Sequence, residues 1–153
     1  MGETINKEKI CEILNQILEM EMAGVVRYTH YSFMVFGYHR IPIVGWLRGQ
    51  ASESLAHAQE AGELITHFGM HPSLGIGPLL ETEKHDMAEI LVESAEHEKA
   101  TLALYKKLLQ MVEGKSVMLE EYARKLIAAE EMHIGEVCKM LRKPGEIDRI
   151  VVP

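Results

Sequence analysis

A chain of 153 residues is long enough for one domain with a substantial core, and its 47% hydrophobic but only 6% aromatic composition leaves the packing to aliphatic side chains and methionines. A formal net charge of -7 excludes nucleic acid as the main partner, since phosphate binding needs clustered Lys and Arg. No apolar run reaches the roughly 18 residues of a membrane span, and Met1-Gly2-Glu3-Thr4 opens no signal-peptide-like segment, so a cytoplasmic location is expected.

Apolar spacing predicts four long helices. Helix A runs from about Thr4, a candidate cap region, to about Phe36, some 50 Å at about 1.5 Å per residue. Gly37 to Pro42 breaks it, and Pro42 suits the first turn of helix B, about Ile43 to Phe68. Gly69 stops helix B, and the Gly- and Pro-rich stretch from Gly69 to Pro78 excludes helix. Thr82 is expected to cap helix C, about Glu83 to Val112. Gly114-Lys115-Ser116 makes a turn, and helix D continues to about Arg142. Lys143-Pro144-Gly145 ends it and begins a tail over 143–153.

Short A–B and C–D joints make each pair an antiparallel hairpin. The B–C connection, about 13–15 residues, can reach about 45 Å when extended, enough to cross the length of a bundle. Helices B and C then run the same way, with His57 and Glu98 at similar heights. Helices A and D run parallel, which puts Cys11 and Cys138 at opposite ends, too far apart to bridge. Both thiols are expected to stay reduced. The fold class is all-α, a four-helix bundle with a long B–C crossover, as a single domain over 1–153.

Three carboxylates interrupt the inward stripes. Glu21 sits among Ile10, Leu14, Ile17, Leu18, Val25 and Tyr28; Glu98 among Met87, Leu91, Ala95, Leu102, Tyr105 and Leu109; Glu130 among Leu119, Ala123, Ile127, Ile134, Val137 and Leu141. A lone buried carboxylate costs several kcal/mol or stays protonated, so three together call for a shared cation. The alternative is a buried polar network with Tyr28, Tyr105 and Arg27 as partners. His133 follows Glu130 by three residues, so one carboxylate and one imidazole share a helix face. On helix B, His57 flanks the stripe, Ser54 occupies its centre, and Glu53 and Glu60 lie at its edge. Di-iron bundles use one Glu from each of two helices and Glu-x-x-His from the other two. Here Ser54-Leu55-Ala56-His57 has serine where that pattern has glutamate.

Glu21-Met22-Ala23-Gly24-Val25-Val26-Arg27-Tyr28, His57-Ala58-Gln59-Glu60 and Glu130-Glu131-Met132-His133-Ile134 resemble the ligand segments of the ferritin-like superfamily, bacterioferritin above all. The resemblance spans about residues 5–141. It implies Fe(II) oxidation by O₂ or H₂O₂ and storage of the ferric product in a hollow homo-oligomeric shell of 12 or 24 subunits. It implies Glu21, His57, Glu98, Glu130 and His133 as metal ligands, with Glu130 bridging, and Tyr28 as a hydrogen-bond or radical partner. Iron is the expected metal, with zinc and manganese as alternatives. Three positions depart from the family: Ser54 replaces a bridging Glu, Leu55 replaces the haem-ligating Met, and the tail after Arg142 is too short for a fifth helix. No haem is therefore expected. One tight metal position is expected at Glu21, Glu98 and Glu130, with a weaker one beside His57 that draws on Glu53. Tyr31, Tyr38 and Trp46 are expected at an exposed interface near the A–B turn. Other functions compatible with the residues are a small-substrate peroxidase or hydroxylase, and a single-metal bundle without oxidase activity.

Overall fold

The computed structural model describes residues 4–79 and 82–147. Four helices account for the regular structure among them: α1 Lys7–Phe33, α2 Arg40–His67, α3 Met87–Val112 and α4 Val117–Leu141. No helix among the described residues is long and apolar enough to cross a membrane.

The helix boundaries follow local capping chemistry. Asn6, not Thr4, caps α1: its extended backbone lets the side-chain oxygen accept from Lys9 N–H at 3.1 Å. The helix ends at Phe33, three residues short of the expected Phe36. Pro42 lies in the first turn of α2, which starts at Arg40. At the other end of α2, Gly69 takes φ +77°. Its N–H donates to Thr66 O, and Met70 N–H donates to Ile65 O, the paired bonds of a Schellman stop. Helix α3 starts at Met87 with Asp86 as its cap, four residues later than expected. Thr82 does not cap; its hydroxyl donates to Glu93 at 2.6 Å. Ser116 caps α4 through Leu119 N–H, and a turn at Pro144-Gly145, closed from Glu146 N–H to Lys143 O, follows its end. The expected tail lies outside the described residues from 148 onward.

The crossover is held along α1. Ser73 N–H donates to Asn15 Oδ1 at 2.7 Å, Gly77 N–H to Glu19 O at 2.8 Å, and Arg27 to Pro78 O at 3.4 Å. Its contacts climb α1 from residue 15 to residue 27, so α3 starts at the end where α1 finishes. This is the crossover topology that the connection length allows. Each α helix packs closely on its hairpin partner, and α1 packs on α3; α2 and α4 face each other with no Cα pair within 8 Å.

Two apolar regions close the ends of the bundle. One joins Ile10, Leu14, Ile17, Ile65, Leu108, Val112 and Leu119. The other joins Tyr28, Val35, Val44, Leu47 and Ile90, with Leu91, Val137 and Cys138 beside it. Fully burying such aliphatic side chains stabilises by about 1.5–3 kcal/mol each. Cys11 and Cys138 are both buried free thiols near opposite ends. Two methionines leave the expected core role: Met118 and Met132 are exposed, because they fall on the outer faces of α4. The polar residues of interest lie between the two apolar regions.

Candidate metal centre

Glu21, Glu98 and Glu130 are only 3%, 5% and 4% exposed. Each comes from a different helix, and α2 supplies His57 opposite them. His57 Nδ1 lies 3.5 Å from Glu21 Oε1 and 3.4 Å from Glu130 Oε1. One donor atom from each of these residues lies within 4.8 Å of the other two, close enough for one cation. Glu98 and His133 meet at Tyr28, and Glu98 also bonds Glu130. The Tyr28 hydroxyl donates to Glu98 Oε1 at 2.7 Å and lies 3.0 Å from His133 Nε2. Trp46 stacks on the His133 ring, centroids 5.6 Å apart and planes 6° from parallel.

Burial raises the pKa of Glu21, against the opposing bonds and charge of His57. Burial, then the hydrogen bond and charge of Glu130, raises that of Glu98 much further. For His57 burial acts downward, but bonds to Glu130 and Glu21 and their charges outweigh it and push the imidazole up to about 10. The cluster therefore holds protons where a cation would otherwise balance its charge, and cation uptake must release them. Tyr28 and Tyr105 are raised by burial and by the adjacent carboxylates, which keeps both as donors.

The centre has an approximate internal twofold. An offset of 77 residues relates Glu21 to Glu98 and Tyr28 to Tyr105, and the tyrosines bond reciprocally: Tyr105 donates to Glu21 at 2.9 Å as Tyr28 does to Glu98. An offset of 76 relates His57 to His133 and Ser54 to Glu130. The last pair breaks the symmetry. Ser54 is buried against Gly24, where a Cβ would sit 2.7 Å from its hydroxyl. Glycine at 24 is what lets α1 and α2 close to this distance.

A cavity of about 10 Å³ opens beside the centre, lined by Gln50, Glu53, Ser54, His57, Glu98, Glu130 and His133. That is room for about one water or ion. Glu53 is 49% exposed, with Oε1 3.8 Å from His57 Nε2, so it stands between solvent and the buried cluster.

Several expectations change. The structure groups His57 with Glu21 and Glu130, and Glu98 with His133, where a tight position at Glu21, Glu98 and Glu130 was expected apart from His57. The reason is topological: α1 packs on α2 and α3 on α4, which brings His57 beside Glu21 and places Glu98 and His133 on the same tyrosine, Tyr28. Tyr31 is buried and donates to Glu93 at 2.7 Å, and Trp46 is half-buried on His133; neither forms the exposed patch expected with Tyr38. Phe33, Phe36, Tyr38 and Ile41 are the large apolar residues exposed around that turn. Arg27 bonds Tyr31 and Pro78 O, not the central carboxylates. Glu60 pairs with Lys125 at 2.8 Å, outside the centre. Gln50 and the Trp46 stack escaped sequence reasoning, because neither follows a ligand spacing. The reciprocal tyrosines carried a readable signal, the shared seven-residue step from Glu to Tyr in α1 and α3.

Residues 11–146 match the sequence model of the ferritin-like domain. A ferritin-like, diiron-carboxylate protein from Bacillus anthracis str. Ames superposes with TM-score 0.82 at 24% identity, covering 89% of this chain and 97% of its own. The dodecameric thioferritin of Bacteroides fragilis, a bacterioferritin-related protein, gives TM-score 0.82 at 20% identity over 90% of this chain and 87% of its own. Rhodobacter capsulatus bacterioferritin, with a metal-free dinuclear site and haem iron, gives 0.78 at 21% identity over 88% and 84%. No curated protein matches the chain by sequence.

Proposed function

The chain belongs to the ferritin-like domain family, and from that premise we propose that it binds iron within the bundle and oxidises Fe(II) with O₂ or H₂O₂, for iron storage or detoxification. The observation that carries this reading is the convergence of buried Glu21, His57 and Glu130 donor atoms within 4.8 Å, with Glu98 and His133 meeting at Tyr28. Carboxylate oxygen with imidazole nitrogen suits Fe(II), and also Mn(II) or Zn(II).

In this reading Glu21 and His57 hold one ion, Glu98 and His133 hold the other, and Glu130 serves both. Tyr28 and Tyr105 orient the terminal carboxylates. Glu53 passes ions between solvent and the centre and supplies a carboxylate when the second ion is present. Apolar layers on both sides exclude bulk water from the reacting ions. Until Glu53 swings in, Glu21, Glu98 and Glu130 alone leave two Fe(II) ions under-neutralised, and Ser54 contributes no charge. That observation favours a second reading, in which one ion is held tightly and no oxidation follows.

The proposal extends to a single domain over residues 1–153 that assembles into a closed cytoplasmic homo-oligomer of 12 or 24 subunits, with Phe33, Phe36, Tyr38 and Ile41 within a subunit contact. Leu55 offers no sulfur to haem, so no haem is bound. The test is anaerobic Fe(II) titration of the purified protein, then exposure to O₂ with absorbance of the ferric product recorded. Two equivalents bound and rapid ferric absorbance support the leading reading. One equivalent without oxidation supports the second. A monomer by light scattering would remove storage.

A further inference from the structure

His97 is buried, precedes Glu98 and takes no part in the centre described above. Its Nε2 lies 3.2 Å from the carbonyl oxygen of Met20, the residue before Glu21. A carbonyl only accepts, so Nε2–H is the donor. The bond therefore ties together, across the α1–α3 interface, the two peptide units that carry the terminal carboxylates. Met20 and His97 also share the 77-residue offset, so they face each other where the internal twofold passes between α1 and α3.

We infer that His97 is a positioning residue that fixes the separation of the two half-sites, compensating for the absence of a carboxylate at position 54. The inference rests on the metal reading above. With Ser54 neutral, Glu130 alone spans both halves, so the scaffold must set their spacing. The Tyr28 and Tyr105 bonds also cross between α1 and α3, but they end on carboxylate oxygens, which must be free to turn when an ion arrives. The His97 bond ends on backbone and constrains the helices themselves. It is a directional polar contact within a buried interface, so losing its donor lets α1 slide on α3 rather than repack in one register.

The test uses Mn(II), whose two ions report their spacing through magnetic exchange. Wild type, His97→Leu and His97→Gln are titrated and examined by electron paramagnetic resonance. In parallel, amide hydrogen exchange is followed for residues 20–24 in the metal-free proteins. His97→Leu removes the donor at similar volume; His97→Gln returns an N–H to the place of Nε2. The expected result is that His97→Leu keeps its first Mn(II), weakens the second about tenfold or more, loses the exchange-coupled signal and speeds amide exchange at 20–24, while His97→Gln restores all three. A folded His97→Leu with both affinities and the coupling of wild type would overturn the inference and leave the metal reading intact. So would a His97→Gln that behaves like His97→Leu. If wild type takes up no Mn(II) pair, the metal reading fails by itself. Amide exchange then decides: unchanged exchange in His97→Leu shows that the bond pins nothing, and faster exchange restored by His97→Gln shows that it holds α1 to α3.

Discussion

The α1–α2 and α3–α4 hairpins build the same half-site twice and differ in one ligand position. Each offers a terminal glutamate (Glu21 or Glu98), an imidazole (His57 or His133) and a tyrosine lent to the other half. The second hairpin adds Glu130, central to both halves; the first has Ser54 there, buried against Gly24. The fold, the burial and the tyrosine partners are the same on both sides, while the buried carboxylate charge of the first hairpin is one less than that of the second.

The largest effect should come from removing the bridge that remains. Glu130→Ala takes a carboxylate from both halves, so tight metal binding and Fe(II) oxidation should both fall to background, read by Fe(II) titration and ferric absorbance. His57→Ala should instead leave one equivalent on the α3–α4 side. If both variants lose both ions, the halves are not separable.

Making the hairpins alike is the opposite experiment. Ser54→Glu should raise the affinity for the second ion by about tenfold or more, on the scale by which a single supporting group alters metal binding. It also buries a fourth carboxylate, so without metal it should unfold several kcal/mol more easily. Thermal melts with and without Mn(II) should move in opposite directions relative to wild type. Wild type that already holds two ions tightly, with slower oxidation in Ser54→Glu, would show that serine is no defect.

A further difference between the hairpins titrates. His97 has no counterpart imidazole at position 20, and burial, then the charge of Arg27, lowers its pKa to about 4. The unfolded chain binds that proton near pH 6.5, above the folded value. The contribution of His97 to stability is therefore complete above about pH 6.5 and declines as pH falls toward 4, by about 3 kcal/mol in the metal-free protein. Chemical denaturation across that window should show the wild type losing stability relative to His97→Gln as pH falls, a difference that cancels the titration of Glu21 and Glu98 common to both.

The smallest contrast lies between the tyrosines. Tyr28→Phe removes bonds to both Glu98 and His133, whereas Tyr105→Phe removes the one to Glu21. Each should cost about 1–3 kcal/mol, Tyr28 more than Tyr105, by urea denaturation. Equal costs would show that the His133 contact adds nothing.

Much of this was readable in the amino-acid order, because it depends on period and length. Apolar residues at helical spacing marked α1 to α4, the crossover was long enough to let α2 and α3 run the same way, and Glu21, Glu98 and Glu130 stood out within apolar stripes. Helix ends were less legible. Thr82 and Asp86 are both capping residues, and only the bond from Thr82 to Glu93 on the next helix decides between them. The pairing within the centre belonged to tertiary structure alone. Periodicity puts a side chain on a face, but not at a height relative to a neighbouring helix. Antiparallel packing of α1 on α3 set those heights. It crossed Tyr28 to Glu98 and Tyr105 to Glu21 and placed His97 on the carbonyl of Met20, while α2 brought His57 to Glu21 and laid Trp46 on His133.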